Sequence, residues 1–185
     1  MKTKELLHII HLCKQGKSDG EYKLYKYCYK EFFPICKRYM KEEERAREVM
    51  NIAFYKVIKN LPKYDTEKNF NPWAARIMVN ASIDELRKVK ALKIVQLSEI
   101  TKTYTSDNNI ATFIEEDNIL NLLDHLPNMG RQVFNLYAID GYKHREISKL
   151  LGISESTSKW HVTQSKLKLK RMLEKNNALL KATDY

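Results

Sequence analysis

Residues 142–166 constrain the fold more than any other stretch, because they have the pattern of two helices joined by a tight turn. The first helix carries its apolar side chains on one stripe: Ile147, Leu150 and Leu151. Gly152 is suited to end this helix in a left-handed conformation, and Ser154 is suited to cap the next helix. The pattern predicts a helix-turn-helix, whose second helix enters the DNA major groove. A plain helical hairpin with a solvated outer face is the alternative.

The second helix of this pair carries different residues on its two faces. Val162 and Leu169 share an inward stripe with Ser158 and Ser165. The outer face is polar and basic, which suits contacts with phosphates and base edges. The candidate residues for duplex DNA in and around this motif are Lys143, Arg145, Ser154, Ser156, Thr157, Lys159, Trp160, His161, Thr163 and Lys166.

The distribution of charge divides the chain into three segments. The net charge is +10 over 185 residues, which suits a polyanionic partner. Residues 1–93 hold 21 Lys and Arg against 12 Asp and Glu, and residues 119–185 hold 11 against 6. Residues 94–118 hold 1 against 5. Two basic blocks therefore flank an acidic stretch, although two solvated surfaces without a ligand would give the same counts.

The remaining composition argues against several classes of protein. The three cysteines lack a CxxC spacing, so they indicate neither a disulfide framework nor a zinc site, and we expect reduced residues inside helices. The apolar patch near the N-terminus is too short for export or membrane insertion. There is no Gly-rich phosphate loop, metal-ligand cluster or paired nucleophile and base, so we expect neither an enzyme nor a cofactor.

The helical period persists almost throughout, which predicts an all-α fold of two small domains. We expect helices near residues 4–15, 20–40, 41–59 and 72–92, with a turn from Gly16 to Gly20 and a kink or break at Pro34. A flexible acidic linker is expected at residues 95–117, because periodicity is lost there. It would join an N-terminal domain of residues 1–94 to a C-terminal domain of residues 118–185. The second domain would hold helices near 118–125 and 131–139, a turn at Pro127 to Gly130, and the helix-turn-helix.

Four segments in order resemble the extracytoplasmic-function (ECF) group of bacterial RNA polymerase sigma factors. They are ERAREVMNIAFYKVIKNL at residues 44–61, FNPWAARIMVNASIDELRK at 70–88, LPNMGRQVFNLYAIDGY at 126–142 and EISKLLGISESTSKWHV at 146–162. The resemblance covers nearly the whole chain. It implies a promoter-specificity factor in which the helix-turn-helix, of the winged-helix-like superfamily but without a wing, reads the minus-35 element.

The same resemblance implies that residues 44–61 bind the β′ clamp of core RNA polymerase. Glu48, Asn51 and Tyr55 lie about one turn apart on one face of this helix and are the candidate contacts. The inward residues of the helix are expected to be Val49, Ala53, Tyr55, Val57 and Ile58. Ile52 replaces a carboxylate of the family pattern, so no contact is expected there.

The loop from Pro62 to Asn69 resembles the family loop that captures a flipped base of the minus-10 element. Base capture requires stacking and edge hydrogen bonds, for which Tyr64 offers an aromatic plane, and Asp65, Lys68 and Asn69 offer an acceptor, a cation and an amide; a plain connector is the alternative. The following helix adds cations that suit single-stranded DNA, although Asp84 and Arg87 also suit a structural ion pair. The minus-10 candidates are Tyr64, Asp65, Lys68, Asn69, Arg76, Asn80, Arg87 and Lys88. Trp73 is expected in the core.

The resemblance also implies partners and a location. The partners would be core RNA polymerase through its β′ clamp and β flap, promoter DNA and an anti-sigma factor, without membrane insertion. The acidic linker would run through the polymerase cleft. The protein would be cytoplasmic, and associated with the nucleoid when in holoenzyme. Ser158, Trp160 and His161 depart from the family pattern, so the promoter sequence does not follow by analogy. A helix-turn-helix regulator that binds duplex DNA without directing initiation is the alternative.

Overall fold

In the computed structural model, the backbone is described for residues 3–99 and 119–183, and side chains for 4–89 and 122–174. The described backbone is helical, in two compact units that divide between Glu99 and Ile100. The α-helices are α1 (Thr3–Lys14), α2 (Ser18–Tyr39), α3 (Glu43–Asn60), α4 (Phe70–Glu99), α5 (Ile119–Asp124), α6 (Asn128–Phe134), α7 (His144–Leu151) and α8 (Glu155–Thr183). A 3₁₀ turn follows α3 at Leu61–Lys63, and a π-helical turn at Asn135–Ile139 follows α6.

The N-terminal unit packs α2, α3 and α4 around one apolar core, with α1 against α2. The core residues recur at helical spacing, as an amphipathic helix requires. They include Leu24, Cys28, Phe32, Val49, Ala53, Val57, Ala74, Met78 and Ile83. All three cysteines are free and buried, as the sequence predicts. Burial raises the pKa of Cys13 and of Cys36 to about 11, so both thiols stay protonated at neutral pH.

The connection between α1 and α2 is shorter than predicted. Gly16 takes a positive φ of 71° at the turn, but Gly20 is a buried residue inside α2. A Cβ atom on Gly20 would lie 2.6 Å from Leu12 Cβ, so the glycine allows α1 and α2 to approach closely. The predicted turn from Gly16 to Gly20 is therefore wrong in its second half. Pro34 lies inside α2 without breaking it.

The C-terminal unit places α6 and α7 against α8. Its core includes Leu123, Leu126, Val133, Leu136, Ile147 and Val162. The turn predicted at Pro127 to Gly130 is wrong, because α6 already begins at Asn128 with Pro127 before it. Arg131 is buried in this unit, where its guanidinium pairs with Asp124. Burial lowers the pKa of Arg131, and the Asp124 carboxylate opposes that shift.

Two predicted boundaries differ from the observed helices. α4 begins at Phe70, so Pro72 lies in its first turn and is not its first residue, and it continues to Glu99, beyond the predicted start of the linker. α8 continues to Thr183, which is far longer than the short second helix expected. Most of the predicted linker, residues 100–117, lies outside the described residues. Its role as a flexible tether stays a prediction.

Candidate nucleic-acid interface

The helix-turn-helix forms as the sequence predicts. Gly152 follows α7 with φ 65° and ψ 37°, and its N–H donates to the Ser148 carbonyl at 2.9 Å. Ser154 precedes α8, and its hydroxyl accepts a hydrogen bond from the Thr157 N–H at 3.0 Å. This bond satisfies one of the N–H groups that a helix start leaves unpaired. Local chemistry at the two residues therefore determines where α7 ends and α8 begins.

The first turn of α7 is capped by its own carboxylate. The Lys143 N–H donates to Glu146 Oε2 at 2.9 Å, and the Glu146 N–H donates to the Lys143 carbonyl at 2.8 Å. A carboxylate in this position also complements the positive end of the helix dipole. The cap leaves the side chains of Lys143 and Arg145 exposed at the start of the motif.

The outer side of α8 presents a row of exposed side chains, here named the recognition face. It consists of Ser156, Lys159, Trp160, Thr163 and Lys166. Trp160 is 57% exposed, which is unusual for a tryptophan side chain and leaves the indole edge available to a partner. Ser154 is also exposed. Eight of the ten predicted duplex-binding residues are thus exposed, and Thr157 and His161 are partly buried.

His161 differs from the lysines of the recognition face in charge. Burial lowers its pKa from the usual histidine value, so the imidazole is neutral at neutral pH. Its ring meets Trp160 edge to face with centroids 4.8 Å apart. His161 is therefore suited to support Trp160 and poorly suited to neutralise a phosphate.

The inner side of α8 is held by two buried serines. Ser158 Oγ lies 2.9 Å from His144 Nδ1 of α7, and Ser165 Oγ donates to the Gly130 carbonyl of α6 at 3.3 Å. His144 in turn stacks on Tyr137, with centroids 4.4 Å apart and planes 16° apart. The sequence assigned no role to His144. The sequence feature that could have indicated this contact is the polar Ser158 on an inward stripe, because a buried hydroxyl requires a hydrogen-bond partner.

The loop of residues 62–69, here named the specificity loop, is built around a buried tyrosine. Tyr64 is only 5% exposed, and its ring packs against Phe70 and Trp73 at centroid distances of 5.6 and 4.7 Å. The prediction that Tyr64 offers an aromatic plane to a base is therefore wrong, because this cluster occupies the ring. Burial raises the pKa of Tyr64, with a smaller contribution from Asp65, so its hydroxyl stays protonated. Trp73, which was expected in the core, is only partly buried and packs in this cluster against Tyr64 and Phe70.

The other polar residues of the specificity loop face solvent. Asp65, Lys68 and Asn69 are exposed, and Lys68 Nζ lies 3.7 Å from Asp65 Oδ2. Asp65 Oδ1 also accepts the Glu67 N–H at 3.1 Å, which tightens the turn. The loop therefore presents an acceptor, a cation and an amide on a framework anchored from behind.

The cations of α4 have different surroundings. Arg76, Arg87 and Lys88 are exposed, whereas Asn80 is partly buried and its Oδ1 has no hydrogen-bond partner. Arg87 pairs with Asp84 at 3.5 Å, so the predicted structural ion pair forms. Asp84 Oδ2 also accepts a hydrogen bond from Lys56 Nζ of α3 at 2.9 Å.

The predicted polymerase contacts lie on the outer face of α3. Glu48, Asn51 and Tyr55 are exposed, and we name them the clamp face. Tyr55 is 66% exposed, so its predicted inward position is wrong, whereas Val49, Ala53 and Val57 are buried as expected. Tyr25 of α2 donates to Asn51 Oδ1 at 2.9 Å and thereby orients that amide. Ile52 is exposed beside these residues.

No helix among the described residues is long and apolar enough to span a membrane. Within the same residues no group of three or more His, Cys, Asp or Glu side chains is arranged to hold a metal ion. The described residues form an all-helical fold with a helix-turn-helix in the second unit.

Sequence comparisons define the family of this chain. The profile of Sigma-70 region 2 matches residues 24–91, and that of Sigma-70 region 4 matches residues 116–169. The RNA polymerase sigma factor SigZ of Bacillus subtilis is 31% identical over 135 residues, which cover 69% of this chain and 72% of SigZ. The ECF sigma factor SigW of the same organism is 23% identical over 172 residues, covering 86% and 92% of the two chains.

Two solved structures match this chain at lower sequence identity than these relatives. CnrH in complex with the cytosolic domain of CnrY has a TM-score of 0.48 at 18% identity, over 91% of this chain and 96% of CnrH. The sigma factor RpoE in complex with the anti-sigma factor NepR, from Bartonella quintana, has a TM-score of 0.47 at 12% identity, over 92% and 95%.

The chain belongs to the sigma-70 family of RNA polymerase sigma factors, in its ECF group. It is a promoter-specificity factor for transcription initiation, and its two sigma regions bind core RNA polymerase and promoter DNA. Proteins of this kind act by binding, and the chemistry of RNA synthesis belongs to the polymerase.

Proposed function

We propose that the recognition face reads the minus-35 element as duplex DNA. The observation that carries this proposal is the exposure of Trp160 between Lys159 and Thr163 on a helix whose opposite side is buried. Lysines on such a face bind phosphates, and hydroxyl and aromatic groups contact base edges and thymine methyls. Lys143 and Arg145 at the start of α7 would bind the flanking backbone. Thr157 and His161 would act mainly by supporting their neighbours.

The specificity loop would capture a base of the minus-10 element. Asp65, Lys68 and Asn69 offer the hydrogen-bonding groups, and the anchored loop limits the conformational entropy lost on binding. Arg76, Arg87 and Lys88 would bind the phosphates of the separated strand along α4. With Tyr64 buried, stacking on the flipped base has to come from another group. Tyr64 instead supports the loop.

The clamp face would bind the β′ clamp of core RNA polymerase. It joins the Glu48 carboxylate, the oriented Asn51 amide and the exposed Tyr55 ring on one side of α3. The exposed Ile52 adds apolar area at its centre, which favours a protein partner over solvent. A contact at Ile52 is therefore part of the proposal, although the family pattern has a carboxylate there.

Three further roles follow from membership of the ECF group. The C-terminal unit would bind the β flap, the acidic residues 95–117 would occupy the polymerase cleft, and an anti-sigma factor would mask these surfaces. The protein would act in the cytoplasm and join the nucleoid within holoenzyme.

Run-off transcription tests the function. Purified core RNA polymerase, this protein and genomic fragments including its own upstream region would be combined, with and without the protein. We expect discrete transcripts only when the protein is present, and their start sites would define both promoter elements. The matched variant Lys159→Ala should reduce these transcripts. A discrete gel shift without core polymerase, and no transcripts with it, would instead indicate a helix-turn-helix regulator.

A further inference from the structure

We propose that Lys14, the last residue of α1, is a positioning residue for the specificity loop. Its Nζ donates a hydrogen bond to the Tyr64 carbonyl at 2.9 Å and lies 5.9 Å from the centroid of the Tyr64 ring. These contacts join two parts of the chain that are 50 residues apart. The inference rests on the proposed reading of the minus-10 element by this loop, and it assigns to α1 a role in promoter recognition.

Tyr64 transmits this contact because it is held at three places. Lys14 binds its carbonyl, Phe70 and Trp73 enclose its ring, and its hydroxyl donates to the Lys68 carbonyl. The hydroxyl bond ties the two ends of the turn together across four residues. A shift of Tyr64 would therefore move the Lys68 backbone and the exposed side chains on either side of it.

The turn itself is shaped by shorter bonds. The Lys68 N–H donates to the Asp65 carbonyl at 3.1 Å, and Asp65 Oδ1 accepts the Glu67 N–H. These bonds preserve the shape of the turn but do not fix its location on the unit. Lys14 and the aromatic cluster provide that location, from α1 and α4 respectively.

α1 is a firm base for this contact. Ile10 and Cys13 are buried against the rest of the unit, and the missing side chain of Gly20 lets α2 approach the α1 backbone. A Cβ at Gly20 would meet the Cys13 backbone N at 2.9 Å. The residue next to this close approach is Lys14. The α1 backbone next to Lys14 is thus held in place, and the Lys14 side chain extends from it to the loop.

A lysine that only stabilises the fold would behave differently from one that positions the loop. Loss of stability would weaken polymerase binding and promoter opening together, for every promoter sequence. Loss of positioning would leave polymerase binding intact. It would reduce discrimination between bases at the minus-10 element, because a misplaced specificity loop binds correct and incorrect bases more equally.

The test compares Lys14→Met, which keeps the stem and removes the donor, with Lys14→Arg, which restores a donor. Lys4→Met is the matched control, because Lys4 is an exposed lysine of the same helix and its substitution removes the same charge. Asp65→Ala and Asn69→Ala report on the loop itself. Each full-length variant would be assayed for thermal unfolding, affinity for core polymerase, and permanganate-detected opening of templates with each base at the mapped minus-10 positions.

For Lys14→Met we expect about a fivefold loss of discrimination between the preferred and other bases, in line with the typical net contribution of one hydrogen bond from an exposed side chain. Core affinity should stay within about twofold of the control, and Lys14→Arg should recover most of the loss. Unchanged discrimination in Lys14→Met, with a loss in Asp65→Ala or Asn69→Ala, would overturn the inference alone. Unchanged discrimination in both loop variants would overturn the reading role of the loop, and the inference with it.

Discussion

His144 Nδ1 lies 2.9 Å from Ser158 Oγ, so the first residue of α7 contacts a fully buried residue of α8. The imidazole also stacks on Tyr137, so α8 is held against the π-helical turn and α7 through one ring. This contact joins α7 and α8 at a position of the inward stripe of α8 that would otherwise carry an apolar side chain.

The first prediction concerns this pair. Ser158→Val should leave His144 Nδ1 without its partner and lower the free energy of unfolding by about 1–3 kcal/mol. The matched double variant His144→Leu with Ser158→Val should recover part of the loss, since both polar groups are then removed. Urea unfolding of the full chain, followed by circular dichroism, would measure the coupling. Additive effects of the two substitutions would contradict a direct interaction.

The second prediction concerns phosphate contacts. Lys159→Ala should weaken binding to a minus-35 duplex and reduce the slope of log K against log salt by about 1. Lys166→Ala should act in the same direction, although its Nζ lies 5.9 Å from the centroid of the Tyr137 ring and part of its effect comes from that contact. Fluorescence anisotropy of a labelled duplex across a salt series would measure both slopes.

Two variants control for total charge and for residue position. Lys4→Ala removes one positive charge from the other unit and should leave the slope unchanged. His161→Gln should also leave the slope unchanged at pH 7.5, because burial lowers the pKa of His161 and the imidazole carries no charge there. A slope that falls equally in Lys4→Ala and Lys159→Ala would show a general charge effect.

The third prediction concerns Trp160. If its indole contacts a thymine methyl, replacement of that thymine by deoxyuridine should weaken wild-type binding by about 1 kcal/mol. Trp160→Ala should bind the thymine duplex more weakly and show no further loss with deoxyuridine at the same position. A scan of single deoxyuridine substitutions would locate the base. Equal losses in wild type and Trp160→Ala at every position would exclude this contact.

The sequence predicted the helix-turn-helix well because its boundaries are set locally. Gly152 and Ser154 end and begin helices through bonds to residues within four positions. The exposed recognition face followed from the helical period for the same reason, as did the exposure of Glu48 and Asn51, whereas Tyr55 was wrongly expected to face inward as well. Tyr64 and Gly20 were placed wrongly, because each depends on a distant partner. Tyr64 is buried by Phe70, Trp73 and Lys14, and Gly20 lies inside α2 at a point where its missing side chain lets Leu12 of α1 come close.

The fourth prediction separates the two glycines near the start of α2. Gly20→Ala should destabilise the protein by about 1–3 kcal/mol despite the better helix propensity of alanine, because the new Cβ would lie 2.6 Å from Leu12 Cβ. Gly16→Ala is the matched substitution in open space and should cost about 1 kcal/mol from its positive φ. Thermal unfolding would compare them. A smaller cost at Gly20 than at Gly16 would argue against the close approach of α1 and α2.

The last prediction concerns the buried guanidinium of the C-terminal unit. Asp124→Ala removes a carboxylate that pairs with Arg131, which is 4% exposed, and should lower the free energy of unfolding by about 1–3 kcal/mol. Replacement of both residues, Arg131→Met with Asp124→Leu, removes the buried charge together with its carboxylate partner and should recover most of that loss. Because α6 also contacts α8 through Gly130 and Ser165, the single variant should weaken minus-35 binding as the unit loosens. Urea unfolding and duplex binding of both variants would decide this, and a double variant less stable than Asp124→Ala would show that Arg131 stabilises the unit through other contacts.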